Sequence, residues 1–141
     1  MAKLGDTNTV DSDLDQRTTQ ERGDQVTVVI PTLNEEEAIG PLIEEVMSEG
    51  FDRIIVADGY SHDKTRDVAS GLGARVLMQH GVGKAGALMT AFRLVSTPYL
   101  IVMDGDASYD PSDLHRFLPL IGTYDFVKGV RSRMSANLAR V

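Results

Sequence analysis

A mainly parallel α/β sheet with helices on both faces is the fold class this sequence predicts, and three observations predict it. Short β-branched or apolar runs alternate strictly with stretches of helical period, the pattern of strand-crossover-strand units. The chemically unusual loops, Pro31 to Glu35, Asp58 to Asp63, Gln79 to Lys84 and Asp104 to Asp110, each follow a strand. Ligand sites of parallel sheets gather outside those carboxyl ends. The third observation is Asp104-Gly105-Asp106, placed directly after the apolar run Tyr99 to Met103. Two carboxylates two residues apart at a strand end can share one divalent cation and its bound phosphates. Asp and Gly are also what a plain strand-to-helix turn selects.

Taken in order, Val26 to Ile30 reads as a buried strand stopped by Pro31. Asn34 with Glu37 three residues on resembles a capping box, and Ala38, Ile39, Leu42, Ile43, Val46 and Met47 share one helical face up to Gly50. Arg53 to Ala57 is a second strand; Ser61 or Asp63 then caps a helix through Val68, Ala69 and Leu72, closed by Gly73. Ala74 to Met78 is a third strand, Leu88, Ala91, Phe92 and Val95 mark a helix, and Tyr99 to Met103 is the fourth strand. Asp110-Pro111 supplies an N-cap and a first-turn proline for a helix that buries Leu114, Phe117, Leu118 and Ile121. Asp125 to Val130 is the expected fifth strand.

Composition narrows the function classes. The 141 residues amount to one domain, able to bury an ordinary core. A formal charge of −7 and a pI near 4.8 argue against a sequence-independent nucleic-acid binder. There is no cysteine, so disulfides and thiolate metal sites are excluded. No apolar stretch approaches the roughly 20 residues of a membrane helix, and the start of the chain lacks the apolar core of a signal peptide. Residues 1–24 are polar, acidic and aperiodic, which reads as a disordered tail ahead of a domain at 25–141.

Among the motifs, Gly81-Val82-Gly83-Lys84-Ala85-Gly86 matches G-x-G-x-x-G. It follows the third strand, whereas a dinucleotide fingerprint follows the first, so a dinucleotide-dependent oxidoreductase is disfavoured. Ala85 in place of Ser or Thr also excludes a Walker loop. The segment is either a plain helix entrance or a place where Lys84 and the loop amides approach an anionic nucleotide. His62, His80 and His115 are isolated from any second His or Cys and read as non-ligands. Of Glu35, Glu36 and Glu37, the last two are first-turn helix charges and Glu35, nearest the strand end, is the candidate ligand contact.

Val28 to Glu35, Val56 to Thr65, Gly83 to Ala85, Met103 to Pro111 and Gly129 to Arg131, in that order and at domain-like spacing, closely resemble the nucleotide-binding half of family 2, GT-A-type glycosyltransferases. Within that family the set looks most like the dolichyl- or polyprenyl-phosphate mannose or glucose synthases. The resemblance implies a Rossmann-like GT-A nucleotide-diphospho-sugar transferase fold, with the C-terminal, acceptor-binding part of such enzymes missing. It further implies that Pro31, Leu33, Asn34, Glu35 and Asp58 line the base and ribose pocket. Lys84 then lies near the nucleotide, and Asp104, Gly105 and Asp106 form the D-x-D that holds Mg²⁺ or Mn²⁺ on the diphosphate. Arg131 reaches the sugar phosphate. Two departures stand out: Ala57 replaces the first of a usual pair of aspartates, and Ser108, expected as a third but weaker metal ligand, stands where mannose synthases often carry a metal-binding Gln. The expected function is transfer of a sugar from GDP-mannose or a UDP-sugar to a dolichyl or polyprenyl phosphate, in the cytoplasm or peripherally at the cytoplasmic membrane face. A protein partner or membrane surface would supply the acceptor site. The competing expectation is a non-catalytic or partner-dependent nucleotide-sugar-binding fragment.

Overall fold

The computed structural model describes residues 17–18 and 20–130 of the chain. Four parallel strands, β1 (Val26–Thr32), β2 (Ile54–Asp58), β3 (Arg75–Met78) and β4 (Tyr99–Val102), form one sheet in the order β3-β2-β1-β4. The order reverses beside β1, and ligand clefts of open α/β sheets form at such a reversal. Residues 17, 18 and 20–23 are helical (α1), so the described end of the expected tail carries a helical turn. Gly23 is buried there, because a Cβ on it would stand 2.7 Å from the carbonyl oxygen of Gly50.

Helices α2 (Glu36–Ser48) and α3 (Thr65–Gly71) cover one face of the sheet, and α4 (Gly83–Phe92) covers the other. The alternation of β1 explains the division. Val26, Val28 and Ile30 enter the larger core with Ile39, Leu42, Ile43, Val46 and Phe51, whereas Val29 packs with Ile55, Ala57, Ala87 and Ala91. Both faces of β1 are dry, as the unbroken apolar run predicts. Thr27 is buried without cost because its hydroxyl bonds that of Thr97 at 2.6 Å.

Four local expectations are corrected. Pro31 does not stop β1, which continues to Thr32 opposite Asp58. Val28 donates to Arg53 on the β2 side, so by alternation position 31 faces the β4 side, where pairing has already ended at Val29 opposite Val102. The missing N–H of proline is therefore not needed. The capping box of Asn34 and Glu37 does not form either: Glu35 is the N-cap residue of α2, and no side chain of α2's own entrance caps it. Asn34 adopts φ 55° and accepts instead from the His62 N–H at 2.9 Å.

The helix expected after Asp110 is present as two 3₁₀ segments, Pro111–Arg116 and Leu118–Leu120. Asp110 caps the first as predicted, accepting from the Ser112 N–H at 2.9 Å. Pro119 inside the apolar stretch cannot donate to an upstream carbonyl and disfavours α geometry at Leu118, which divides the helix. No fifth strand forms at 125–130. Phe126 and Val130 are each 83% exposed, and Gly129 lies against the Phe117 ring rather than beside β4. An apolar run becomes a strand only where a ladder partner and a covering layer meet it.

Candidate nucleotide-diphosphate site

The site is built where the loops after β1, β2, β3 and β4 converge. A cleft of about 570 Å³, within the range of small-molecule sites, is lined by Pro31, Thr32, Leu33 and Glu35 from the first loop and Gly59 and Tyr60 from the second. Gln79, Gly81, Val82, Gly83, Lys84 and Ala87 come from the third, and Asp104, Gly105 and Asp106 from the fourth. Among the described residues three non-glycines have positive φ, Asn34 (55°), Tyr60 (66°) and Ala107 (57°), and all lie in these strand-end loops. Such strain persists only where surrounding contacts hold it, and it concentrates at functional sites.

Each loop is held by a side chain of another. Asp58 is fully buried at the end of β2: its Oδ1 accepts from Thr32 Oγ1 (3.0 Å) and Ser61 Oγ (2.6 Å), and its Oδ2 accepts from the Ser61 N–H (2.8 Å). Arg66 Nε stands 3.7 Å from the same oxygen. Ser61 Oγ in turn accepts from the Asn34 N–H at 2.8 Å, tying the second loop to the first. Gln79 donates its N–H to the Asp58 carbonyl and its side-chain amide to the Gly81 carbonyl at 3.2 Å. Thr90 Oγ1 accepts from the His80 N–H and donates to the Gly86 carbonyl, both at 2.8 Å. The glycine-rich entrance of α4 is thereby pinned and brings the first turn of that helix to the cleft, an orientation that favours an anion.

The D-x-D loop has its own close approach. A Cβ on Gly105 would stand 2.9 Å from Thr32 Cγ2 and 3.2 Å from the Pro31 carbonyl, so only glycine lets this loop lie directly on the end of β1. Asp106 Oδ1 accepts from the Ser108 N–H at 3.0 Å, an Asx turn that sets the carboxylate. Asp104 is ion-paired with Lys84. Desolvation, followed by the negative fields of Asp106 and Asp63, raises the Glu35 carboxyl above its ordinary pKa. The cleft thus combines hard oxygen donors and an excess of negative charge, a donor set suited to Mg²⁺ or Mn²⁺. Among the described residues no three His, Asp or Glu side chains are grouped to cage a metal alone. An ion held here would take its ligands from Asp104, Asp106 and the diphosphate itself.

Of the site residues expected from sequence, Pro31, Leu33, Glu35, Lys84, Asp104, Gly105 and Asp106 line this one cleft. Asn34 and Asp58 do not: Asn34 is spent on His62 and Ser61, and Asp58 on Thr32, Ser61 and Arg66. The carboxylate of Asp58 ties together the loops around the cleft. Ser108 borders a second groove, between α2 and the segment 107–112, and serves the D-x-D through its backbone N–H. That groove carries Glu45, Glu49 and Asp110 with no basic side chain, which disfavours a diphosphate. Arg131 lies outside the described residues. The lining residues missed by sequence reasoning include Tyr60, 56% exposed, and Gln79. Tyr60 was legible as an aromatic residue in a strand-end loop, whereas Gln79 carries no sequence signal.

A parallel sheet with paired aspartates, a lysine and a helix entrance converging on one cleft beyond its carboxyl edge defines the nucleotide-diphospho-sugar transferase class. The chain belongs to the glycosyl transferase family 2, whose model matches residues 27–139. It is 40% identical over 110 residues to the glycosyltransferase AglJ of Haloferax volcanii, covering 77% of this chain and 36% of that protein. It is 35% identical over 111 residues to the dolichyl-phosphate hexose transferase of the same organism, covering 77% and 48%. The chain therefore spans less than half the length of either relative. Among solved structures, it resembles glucosyl-3-phosphoglycerate synthase of Mycobacterium tuberculosis in complex with Mn²⁺, UDP-glucose and phosphoglyceric acid. The TM-score is 0.64 with 25% identity, over 76% of this chain and 44% of that one. Mannosyl-3-phosphoglycerate synthase of Rubrobacter xylanophilus shares the fold with a TM-score of 0.65 and 22% identity, over 77% and 42%.

Proposed function

We propose that this chain carries the donor-binding site of a metal-assisted hexosyltransferase that uses a nucleotide-diphosphate sugar and passes its sugar to a dolichyl or polyprenyl phosphate. The observation that carries the reading is the convergence of Asp104, Asp106 and Lys84 with exposed Leu33 and Tyr60 in one cleft. Leu33 and Tyr60 offer apolar surface to a base, Lys84 and the first turn of α4 offer positive charge to phosphate oxygens, and Asp104 and Asp106 hold the cation. A divalent ion bound there supplies Lewis-acid stabilisation of the diphosphate leaving group. Asp104 and Asp106 orient it through the close seat of Gly105 on β1 and the Ser108 N–H. A lipid phosphate is already ionised near neutral pH, so the acceptor oxygen needs no strong base. The dolichyl-phosphate hexose transferase relative supports that acceptor. The UDP-glucose complex of the structural neighbour supports a uridine donor. A lipid-phosphate acceptor would be met at a membrane surface; no described helix is long and apolar enough to cross a membrane.

A second reading, a nucleotide-sugar-binding unit that transfers only with a partner surface, is favoured by the open face of β4, where Leu100 and Val102 are 38% and 39% exposed. Two measurements test both. Thermal shift with UDP- and GDP-sugars is expected to raise Tm only when Mn²⁺ is present, since a ligand that binds the native state stabilises it by mass action. Equal shifts with chelator would sink the metal assignment. Transfer from a labelled nucleotide sugar to polyprenyl phosphate by this chain is expected to stay well below a typical enzyme rate of about 10 per second. Turnover at that rate would exclude the partner-dependent reading.

A further inference from the structure

Lys84 and Asp104 stand twenty residues apart in the sequence, on the entrance of α4 and at the end of β4, and they meet across the cleft as an ion pair. Packing does not force that meeting. The two side chains are 55% and 32% exposed, and a lysine ammonium moves freely on its four-carbon stem. What is fixed is the backbone beneath it, pinned through Gln79, Thr90 and the close seat of Gly86 against Gly81. Among the described residues, the remaining charged groups of the cleft are Glu35 and Asp106, both acidic. Lys84 is thus, among the described residues, the one cation lining a cleft that also carries three carboxylates.

We propose that Lys84 is a built-in stand-in for the metal: it neutralises Asp104 while the cleft is empty, yields that carboxylate to an arriving divalent cation, and turns to the diphosphate oxygens. The proposal rests on the metal-diphosphate reading of the cleft and assigns one residue the coupling between the two ligands. A cation arriving alone must compete with the ammonium for Asp104. One arriving with a diphosphate offers the displaced ammonium a new anion. Metal and nucleotide then bind with positive coupling, and the coupling is reciprocal. Lys84 is a positioning residue toward the metal and a direct contact toward the nucleotide.

The test titrates Mn²⁺ into the 141-residue chain and reads free Mn²⁺ by electron paramagnetic resonance, with and without UDP or GDP. Lys84→Met is expected to bind Mn²⁺ alone about twofold to fivefold tighter, the scale of a half-exposed charge interaction. The same variant is expected to lose about tenfold in Mn²⁺-dependent nucleotide affinity, the scale of a charge-assisted hydrogen bond. Lys84→Arg should restore both quantities toward the parent. In an Asp104→Asn background, Lys84→Met should shift Mn²⁺ affinity less than about twofold, because the shared partner is gone. A Lys84→Met variant whose affinity for Mn²⁺ alone is unchanged or weaker overturns the proposal, while metal-dependent nucleotide binding by the parent leaves the site reading intact. Nucleotide affinity in the parent that is the same with Mn²⁺ and with chelator removes both.

Discussion

Asp58 shows how a carboxylate at a strand end can tie together the loops around a cleft. Its two oxygens gather Thr32 and Ser61 into a buried knot, with the half-exposed Arg66 guanidinium 3.7 Å away. Replacing it with alanine leaves the Ser61 N–H and two hydroxyls without their acceptor, and unmade buried hydrogen bonds cost about 1–3 kcal/mol each before relaxation. Asp58→Ala is therefore expected to lower stability by about 3 kcal/mol in denaturant titrations. Its effect on nucleotide affinity should follow from the disordered loops, falling alike on nucleoside and pyrophosphate. A selective loss of nucleoside affinity with unchanged stability would show that the side chain faces the ligand after all. In the sequence, Asp58 and Asp104 look equivalent, each an acid after an apolar strand. Their difference lies in Ser61, three residues on in the same loop, and in Thr32, which meets Asp58 only once β1 and β2 are paired.

At the scale of elements, α2 and the loop before α3 cap one another. Asp63 Oδ2 accepts from the Glu36 N–H and Asp63 Oδ1 from the Thr65 N–H, while Glu36 accepts from the Lys64 N–H and Thr65 from the Glu35 N–H. Orphan amides of both helix starts are satisfied by this exchange. Desolvation pushes the Asp63 carboxyl up, but its bonds from Thr65 and Glu36 outweigh that and hold it below the ordinary 3.8. The Ser112 hydroxyl and N–H lower Asp110 in the same way. A depressed folded-state pKa contributes stability that is full above 3.8 and is lost as pH falls through the lowered value. Stability measured from pH 5 downward, about one unit above the ordinary carboxylate pKa, should decline less steeply in an Asp63→Ala, Asp110→Ala double variant than in the parent. Identical acid limbs would mean that other carboxylates carry the effect.

The seat of the D-x-D loop on β1 belongs to the same scale. Gly105→Ala sets a methyl group 2.9 Å from Thr32 Cγ2 and 3.2 Å from a backbone carbonyl, so the loop must lift. Overpacking of this kind costs typically about 1–3 kcal/mol. The variant is expected to fold with a lower Tm and to lose metal-dependent nucleotide binding at least tenfold, because the two carboxylates move together. Parent-like binding would show that the loop can shift without moving Asp104 and Asp106.

For the molecule as a whole, the two faces of the sheet are unequally covered. The α2 and α3 side is closed, whereas α4 spans β1, β2 and β3 and leaves Leu100 and Val102 of β4 partly open. Leu100→Thr with Val102→Thr is expected to change stability by less than about 1 kcal/mol, well under the cost of deleting fully buried methyl groups. Urea titration checks this, and a loss of several kcal/mol would mean that the face is covered.

The sequence by itself determined the parallel α/β class, the positions of four strands and three helices, and the loops that carry the site. These follow from hydrophobic period, helix breakers and turn residues, all local properties of the chain. Local pattern also nominated Lys84, Asp104 and Asp106 beside plain turn and helix-entrance readings, and the ordered set of motifs resembling family 2 glycosyltransferases favoured the site. Tertiary structure alone decided that Asp58 is buried, that Asn34 serves His62 rather than α2, that Gly105 lies against the end of β1, and that 125–130 joins no ladder. Each of these depends on which group from a distant loop arrives at hydrogen-bonding or van der Waals distance. Strand pairing settles that distance, and no residue encodes it alone.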